Sequence, residues 1–126
     1  MNVRALIPKN VCDESGIEKL KQLSFNQIQP IVPDLLEWLQ DCNWPVARSI
    51  LEILRPLVDQ ITPEILEVLN GNDGVWKYWI LQNLILKTTN PILLKEINRI
   101  ASFPTSEEKE QELDLIAVDI LRENYR

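Results

Sequence analysis

Residues 33–54 read PDLLEWLQDCNWPVARSILEIL, and residues 63–84 read PEILEVLNGNDGVWKYWILQNL. At this offset of thirty, Pro33 falls on Pro63, Leu36 on Leu66, Glu37 on Glu67, Leu39 on Leu69, Ile50 on Ile80, Leu51 on Leu81 and Leu54 on Leu84, with Asp34 on Glu64 and Leu35 on Ile65 as near matches. Within each copy the apolar residues recur at the three-and-four spacing of one helical face, twice, on either side of a polar break. Each copy therefore reads as a helical hairpin. A hairpin of this length cannot bury its apolar faces alone, so successive copies are expected to stack. A third copy begins at Pro91, with Leu94 and Ile97 in the places of Leu66 and Leu69. The expectation is an all-α fold, a short right-handed HEAT-like α-solenoid of antiparallel helix pairs with about seven helices, forming one domain over residues 1–126. Residues 1–12, which show no periodicity, are expected to be irregular.

Working outward from the repeat, a first helix is predicted over about Asp13 to Leu23, capped by Asp13 or Ser15, with Ile17, Leu20 and Leu23 on one stripe. Phe25 is expected to begin a turn, and a second helix to span about Gln27 to Gln40, its first turns confined or kinked by Pro30 and Pro33. Asn43 ahead of Trp44 and Pro45 suits an N-cap with proline preset for the first turn of a third helix running to about Val58. Thr62 and Pro63 repeat the device for a fourth helix that stops before Gly71. Asp73 or Asn72 caps a fifth, from Gly74 to about Lys87, and a sixth runs from near Pro91 to before Pro104. Thr105 with Glu108 three residues later forms a capping box for the last helix, whose buried stripe is expected to be Leu113, Ile116, Ala117, Ile120 and Leu121.

At 126 residues the chain is long enough to bury a core, and its 45% apolar and 25% charged composition is that of a folded soluble protein. The apolar stretch Ala5, Leu6, Ile7 is too brief for a signal-peptide core, and no membrane association is expected. Cys12 and Cys42 form no C-x-x-C pair and read as two reduced thiols of a cytoplasmic protein. The formal charge is -6, and from Thr105 onward seven acids face three bases, Lys109, Arg122 and Arg126. Such a surface repels phosphate backbones, so no nucleic-acid partner is expected.

Leu35 to Ala47 (LLEWLQDCNWPVA) and Val75 to Leu81 (VWKYWIL), with Leu6-Ile7-Pro8-Lys9 and Pro104-Thr105-Ser106-Glu107-Glu108, give the chain a resemblance over essentially its whole length to a bacterial family, the domain of unknown function 5071 family. The resemblance implies a HEAT-like helical fold and a bacterial origin. It lends no activity. Toxin-immunity partnerships of other small helical bacterial proteins offer an analogy only.

The chain has no histidine, which removes the commonest general base and metal ligand together with every Ser-His or Cys-His nucleophile. No metal, cofactor or enzymatic activity is expected. Gly71-Asn72-Asp73-Gly74 lacks both the ligand ladder of a calcium loop and the frame of a phosphate loop, and reads as a turn between helices. The many carboxylates read as a solvated helical face, Glu107 to Glu112 included, with nothing basic near Glu108 except Lys109.

The aromatics remain. Trp44, Trp76, Tyr78 and Trp79 fall at or just after two loops related by the repeat. On the fifth helix Trp76 and Trp79 share a face with Ile80 and Asn83, whereas Tyr78 sits with Val75, Gln82 and Ile85. Either that helix is buried nearly all round and every aromatic is core, or part of the set, Tyr78 first, lines an exposed groove. The groove would comprise Trp44, Arg48, Glu52, Arg55, Asp73, Trp76, Tyr78 and Gln82, with Arg48 beside Tyr78 and Glu52 beside Gln82, a composition suited to a protein or peptide partner. The functional expectation is a protein-binding scaffold, immunity-like or regulatory, that is a monomer or weak homodimer. The alternatives are a carboxylate-based enzyme and a purely structural, self-associating helical domain.

Overall fold

A computed structural model describes residues 2–124; Arg126, counted above among the C-terminal bases, lies outside the described residues. The chain is all-α, 68% helical, with no strand among the described residues. No helix among them is long and apolar enough to cross a membrane. The backbone divides into two compact units, one up to Glu64 and one from Ile65 onward.

The first unit holds α1 (Ile17–Gln22), α2 (Phe25–Ile28), α3 (Val32–Glu37) and α4 (Pro45–Leu54), and ends in the first turn of α5 (Thr62–Leu69). Its core is Ile17, Leu20, Ile28, Ile31, Val32, Leu35, Leu36, Leu39, Val46, Ala47, Ile50 and Leu54 with their neighbours. Phe25 starts a helix rather than the expected turn, because Ser24 and Gln27 form a reciprocal capping box. Pro30 lies in a 3₁₀ turn, Gln29–Ile31, between α2 and α3, and Pro33 in the first turn of α3. Neither proline has an N–H to donate to the preceding turn, and the predicted second helix is accordingly broken into short pieces.

Two of the expected caps are replaced. Helix α1 begins after Gly16, four residues later than predicted, while the Asp13 carboxylate accepts from the amides of Lys9 and Ser15 and from the Ser15 hydroxyl. Trp44, not Asn43, is the N-cap of α4, and the Asn43 amide donates to Asp41. Thr62 turns its hydroxyl back to the carbonyl of Val58.

The segment ahead of α1 is anchored. Val3–Leu6 forms a 3₁₀ turn capped by Asn2, the Val11 carbonyl accepts from the Val46 amide at 2.9 Å, and Arg4 meets Asp34 at 3.3 Å. A Cβ at Gly16 would lie 2.5 Å from the Leu6 carbonyl oxygen, so only glycine permits this approach.

The second unit continues α5 and adds α6 (Gly74–Trp79), a π turn (Ile80–Leu84), α7 (Pro91–Ser102), α8 (Ser106–Glu110) and α9 (Leu113–Asn124). Helix α7 packs along α9, and α6 meets α8 and α9. Asp73 caps α6 and Asn90 caps α7. The predicted seventh helix is two: after α8 the chain passes through Glu112 in the left-handed region, φ 56, before α9 begins. In α9 Leu113, Ala117 and Ile120 are buried, Ile116 and Leu121 half-buried. At the far end the Asn124 side chain donates to the carbonyls of Thr88 and Ile120, tying α9 to the segment ahead of α7.

Candidate functional site

The eight residues expected to line a groove fall into two sets, one in each unit. In the first unit, Trp44, Arg48, Glu52 and Arg55 recur at the spacing of a single helical stripe, on the side of α4 opposite its buried face of Val46, Ala47, Ile50, Leu51 and Leu54. Arg48, Glu52 and Arg55 are exposed and Trp44 is half-buried. Glu52 is engaged within the unit by Lys21 of α1 at 3.1 Å, and Ser49, one position from the stripe, donates to Glu14 at 2.8 Å. The Trp44 ring meets Trp38, at the end of α3, edge to face, with centroids 5.6 Å apart and planes at 73°. Edge-to-face contact sets the positive rim of one indole against the negative face of the other.

In the second unit, the exposed Asp73 accepts from the Trp76 amide at 3.0 Å, Trp76 and Tyr78 are half-buried, and Gln82 is exposed in the π turn. Tyr78 packs edge to face on Trp79 at 5.0 Å. The aromatics are therefore neither wholly core nor wholly free. The buried stripe of this helix is Gly74, Lys77, Ile80, Leu81, Leu84 and Ile85, and the aromatic rings flank it. This corrects the assignment of faces made from uniform helical spacing. The Ile85 amide closes the π turn on the Ile80 carbonyl at 3.1 Å, and Ile80, Leu81, Leu84 and Ile85 all reach the core.

Lys77 in that stripe is 1% exposed, and its Nζ lies 2.9 Å from Oε2 of Glu108, itself 0% exposed. Arg99 of α7 grips both oxygens of the same carboxylate, at 2.9 and 2.7 Å, and its Nε donates to Glu96 at 2.8 Å. The Thr105 amide completes the set on Oε1 at 2.8 Å. Glu108 is thus no part of a solvated face, and Lys109 is not its partner. Burial by itself pushes the Glu108 carboxyl up, but the Arg99 guanidinium, the Lys77 ammonium and the Thr105 amide outweigh it and hold the group down at about 2. The closeness of α6 and α8 requires Gly74, where a Cβ would meet the Glu107 carbonyl oxygen at 2.8 Å.

The burial of Lys77 left a trace in the sequence, since it occupies the spacing of Gly74, Leu81 and Leu84. Its partners did not, because Arg99 and Glu108 belong to other helices. An ion cluster this closed, with every oxygen occupied, is suited to holding three helices together rather than to moving protons.

Both cysteines are free; Cys12 is exposed, and Cys42 is half-buried, its thiol pushed up to about 11 by burial and then by Asp41, against a smaller opposing effect of Arg55. Among the described residues no three His, Cys, Asp or Glu side chains converge as metal ligands. A recess of about 640 Å³ beside the end of α9, where Lys87, Asp119, Arg122 and Glu123 meet, involves none of the eight expected residues.

Residues 6–121 match the family described as Domain of unknown function (DUF5071). The chain belongs to this family. The DUF5071 match extends across both units and includes the α4 stripe, the aromatic helix α6 and the ion cluster. No curated protein matches the chain.

Proposed function

We propose that this DUF5071 chain is a bacterial, cytoplasmic protein-binding module that acts by stoichiometric surface recognition, in an immunity-like or regulatory role, and is not an enzyme. The observation that carries the reading is the two-sided character of α4: one face is wholly apolar and buried, the other presents Trp44, Arg48, Glu52 and Arg55. Tryptophan and arginine are the residue types that dominate binding hot spots, because each offers a large contact area with directed hydrogen-bond donors. Asp73, Trp76, Tyr78 and Gln82 on and around α6 supply a second surface of the same composition. The thirty-residue repeat supports a short right-handed HEAT-like solenoid of antiparallel helix pairs as the scaffold that displays them.

The partner is a protein or peptide, and the acid-rich α8 and α9 favour a basic one. Capture from the native host's lysate with the wild-type chain, beside Arg48→Ala and Tyr78→Ala, tests the proposal. A protein retained in stoichiometric amount by the wild type, released by either substitution and weakened by salt, is the expected result. Retention unchanged in both variants overturns the placement of the surface.

A further inference from the structure

We infer that Asn70 is a site of spontaneous deamidation, a slow covalent clock whose rate is set by the last turn of α5. The inference stands apart from the binding role. The turn Asn70-Gly71-Asn72-Asp73-Gly74 holds the chain's one Asn-Gly step and its one Asp-Gly step. In such pairs the glycine nitrogen, unshielded by a Cβ, can attack the carbonyl carbon of the preceding side chain. The structure tells the two apart. Asp73 is fixed as the cap of α6, its carboxylate accepting from the Trp76 amide at 3.0 Å, and Gly74 is buried where a Cβ would lie 2.8 Å from the Glu107 carbonyl oxygen. Neither can turn towards the other without opening the junction of α6 and α8. Asn70 lies one residue beyond α5 and is exposed, and its side chain is an amide, a better electrophile than a carboxylate.

In the reaction the Gly71 nitrogen gives up its hydrogen and bonds to Cγ of Asn70. The Cγ–Nδ2 bond breaks, and ammonia leaves with that hydrogen, closing a cyclic imide. Water then adds across either C–N bond of the imide ring. Opening at Cγ leaves aspartate; opening at the Asn70 main-chain carbonyl leaves isoaspartate, which adds a methylene to the backbone. In the folded chain both reacting groups are engaged: the Gly71 amide donates to the Val68 carbonyl at 3.1 Å, and Nδ2 of Asn70 donates to the Leu66 carbonyl at 2.9 Å. These bonds must open before the ring can close, so reaction proceeds through fraying of the end of α5, a local opening that costs far less than global unfolding. The product cannot restore them. A carboxylate here has no hydrogen to give the Leu66 carbonyl, and it sets negative charge at the C-terminal end of α5, three residues from the exposed Glu67. Isoaspartate also lengthens the link to Asp73, the cap that starts α6.

The test keeps the full chain at mildly alkaline pH, in buffer and in urea above its unfolding transition, and reads digests by mass spectrometry. Isoaspartate is detected by enzymatic methylation from S-adenosylmethionine. The expected result is aspartate and isoaspartate in place of Asn70 before any other asparagine changes, forming at least about tenfold more slowly in the folded chain than in the unfolded one. Asn70→Gln keeps the amide donor but must close a larger ring, and Gly71→Ala shields the nitrogen with a methyl; each should slow conversion in urea at least about tenfold. Asn70→Asp, which carries the product's charge, should melt about 3 °C below the wild type. Equal rates in the folded and unfolded chains overturn the control by α5. A folded chain in which Asn70 stays intact throughout prolonged incubation, or in which another asparagine converts first, overturns the site. An Asn70→Asp variant as stable as the wild type overturns the consequence for α5.

Discussion

The ammonium of Lys77 and the carboxylate of Glu108 meet at 2.9 Å across thirty-one residues of sequence, both withdrawn from solvent. The pair joins α6 to α8, and Arg99 brings in α7, so three helices of the second unit converge on one carboxylate. The arrangement is asymmetric. Glu108 accepts from three residues, whereas without Glu108 the nearest acid to Lys77 is Glu107, at 3.6 Å.

That asymmetry predicts unequal losses. Glu108→Ala strands a buried ammonium and should cost about 3–5 kcal/mol in urea unfolding. Lys77→Met leaves Glu108 still held by Arg99 and the Thr105 amide and should cost about 1–3 kcal/mol. An equal or larger loss in Lys77→Met would show the lysine, not the carboxylate, to be the centre of the cluster.

Acid should dismantle the same cluster. Because the folded Glu108 is held at about 2, below its ordinary value of 4.5, the unfolded chain binds the proton more readily and stability falls as pH falls. The contribution is complete above about pH 4.5 and is lost towards pH 2; it is on the order of 3 kcal/mol. Melting temperatures measured through this window should decline less steeply in Glu108→Gln than in the wild type.

Two glycines mark backbone contacts that admit no side chain. Gly74→Ala would force the Glu107 carbonyl away from 2.8 Å, and Gly16→Ala the Leu6 carbonyl away from 2.5 Å. Each should destabilise by about 1–3 kcal/mol. Gly71→Ala, where the nearest atom is 3.3 Å away, should cost less than either, as denaturant midpoints would show.

Glu112, at φ 56, holds a conformation that costs an L-residue roughly 1 kcal/mol. Glu112→Gly should be neutral or stabilising by up to about 1 kcal/mol, and Glu112→Val clearly destabilising. Thermal unfolding of the two variants separates them, and a destabilised Glu112→Gly would contradict a strained joint between α8 and α9.

The thiols should differ in reactivity. Cys42, half-buried and raised to about 11, forms little thiolate near neutrality, whereas Cys12 is exposed. Alkylation followed by mass spectrometry should label Cys12 at least about tenfold faster.

Much of the helical order was legible in the chain itself. The apolar spacing, Asp73 ahead of α6, Pro91 at the start of α7 and the Thr105–Glu108 capping box are local signals, because helix propagation and capping involve partners within four residues. The breaks were less so. Asn43 yields the cap of α4 to Trp44, where competing local choices are settled by packing, whereas the helix at Phe25 rests on the Ser24–Gln27 capping box, a signal written within four residues.

By itself the sequence determined an all-helical chain, the places of most helices and the absence of histidine chemistry, since each follows from residue type and near-neighbour spacing. Tertiary structure alone decided that Arg99 and Glu108 close around Lys77 and that Trp44 meets Trp38. Those outcomes depend on which helices face one another, and a charge reads as solvated until a distant helix supplies its counter-ion.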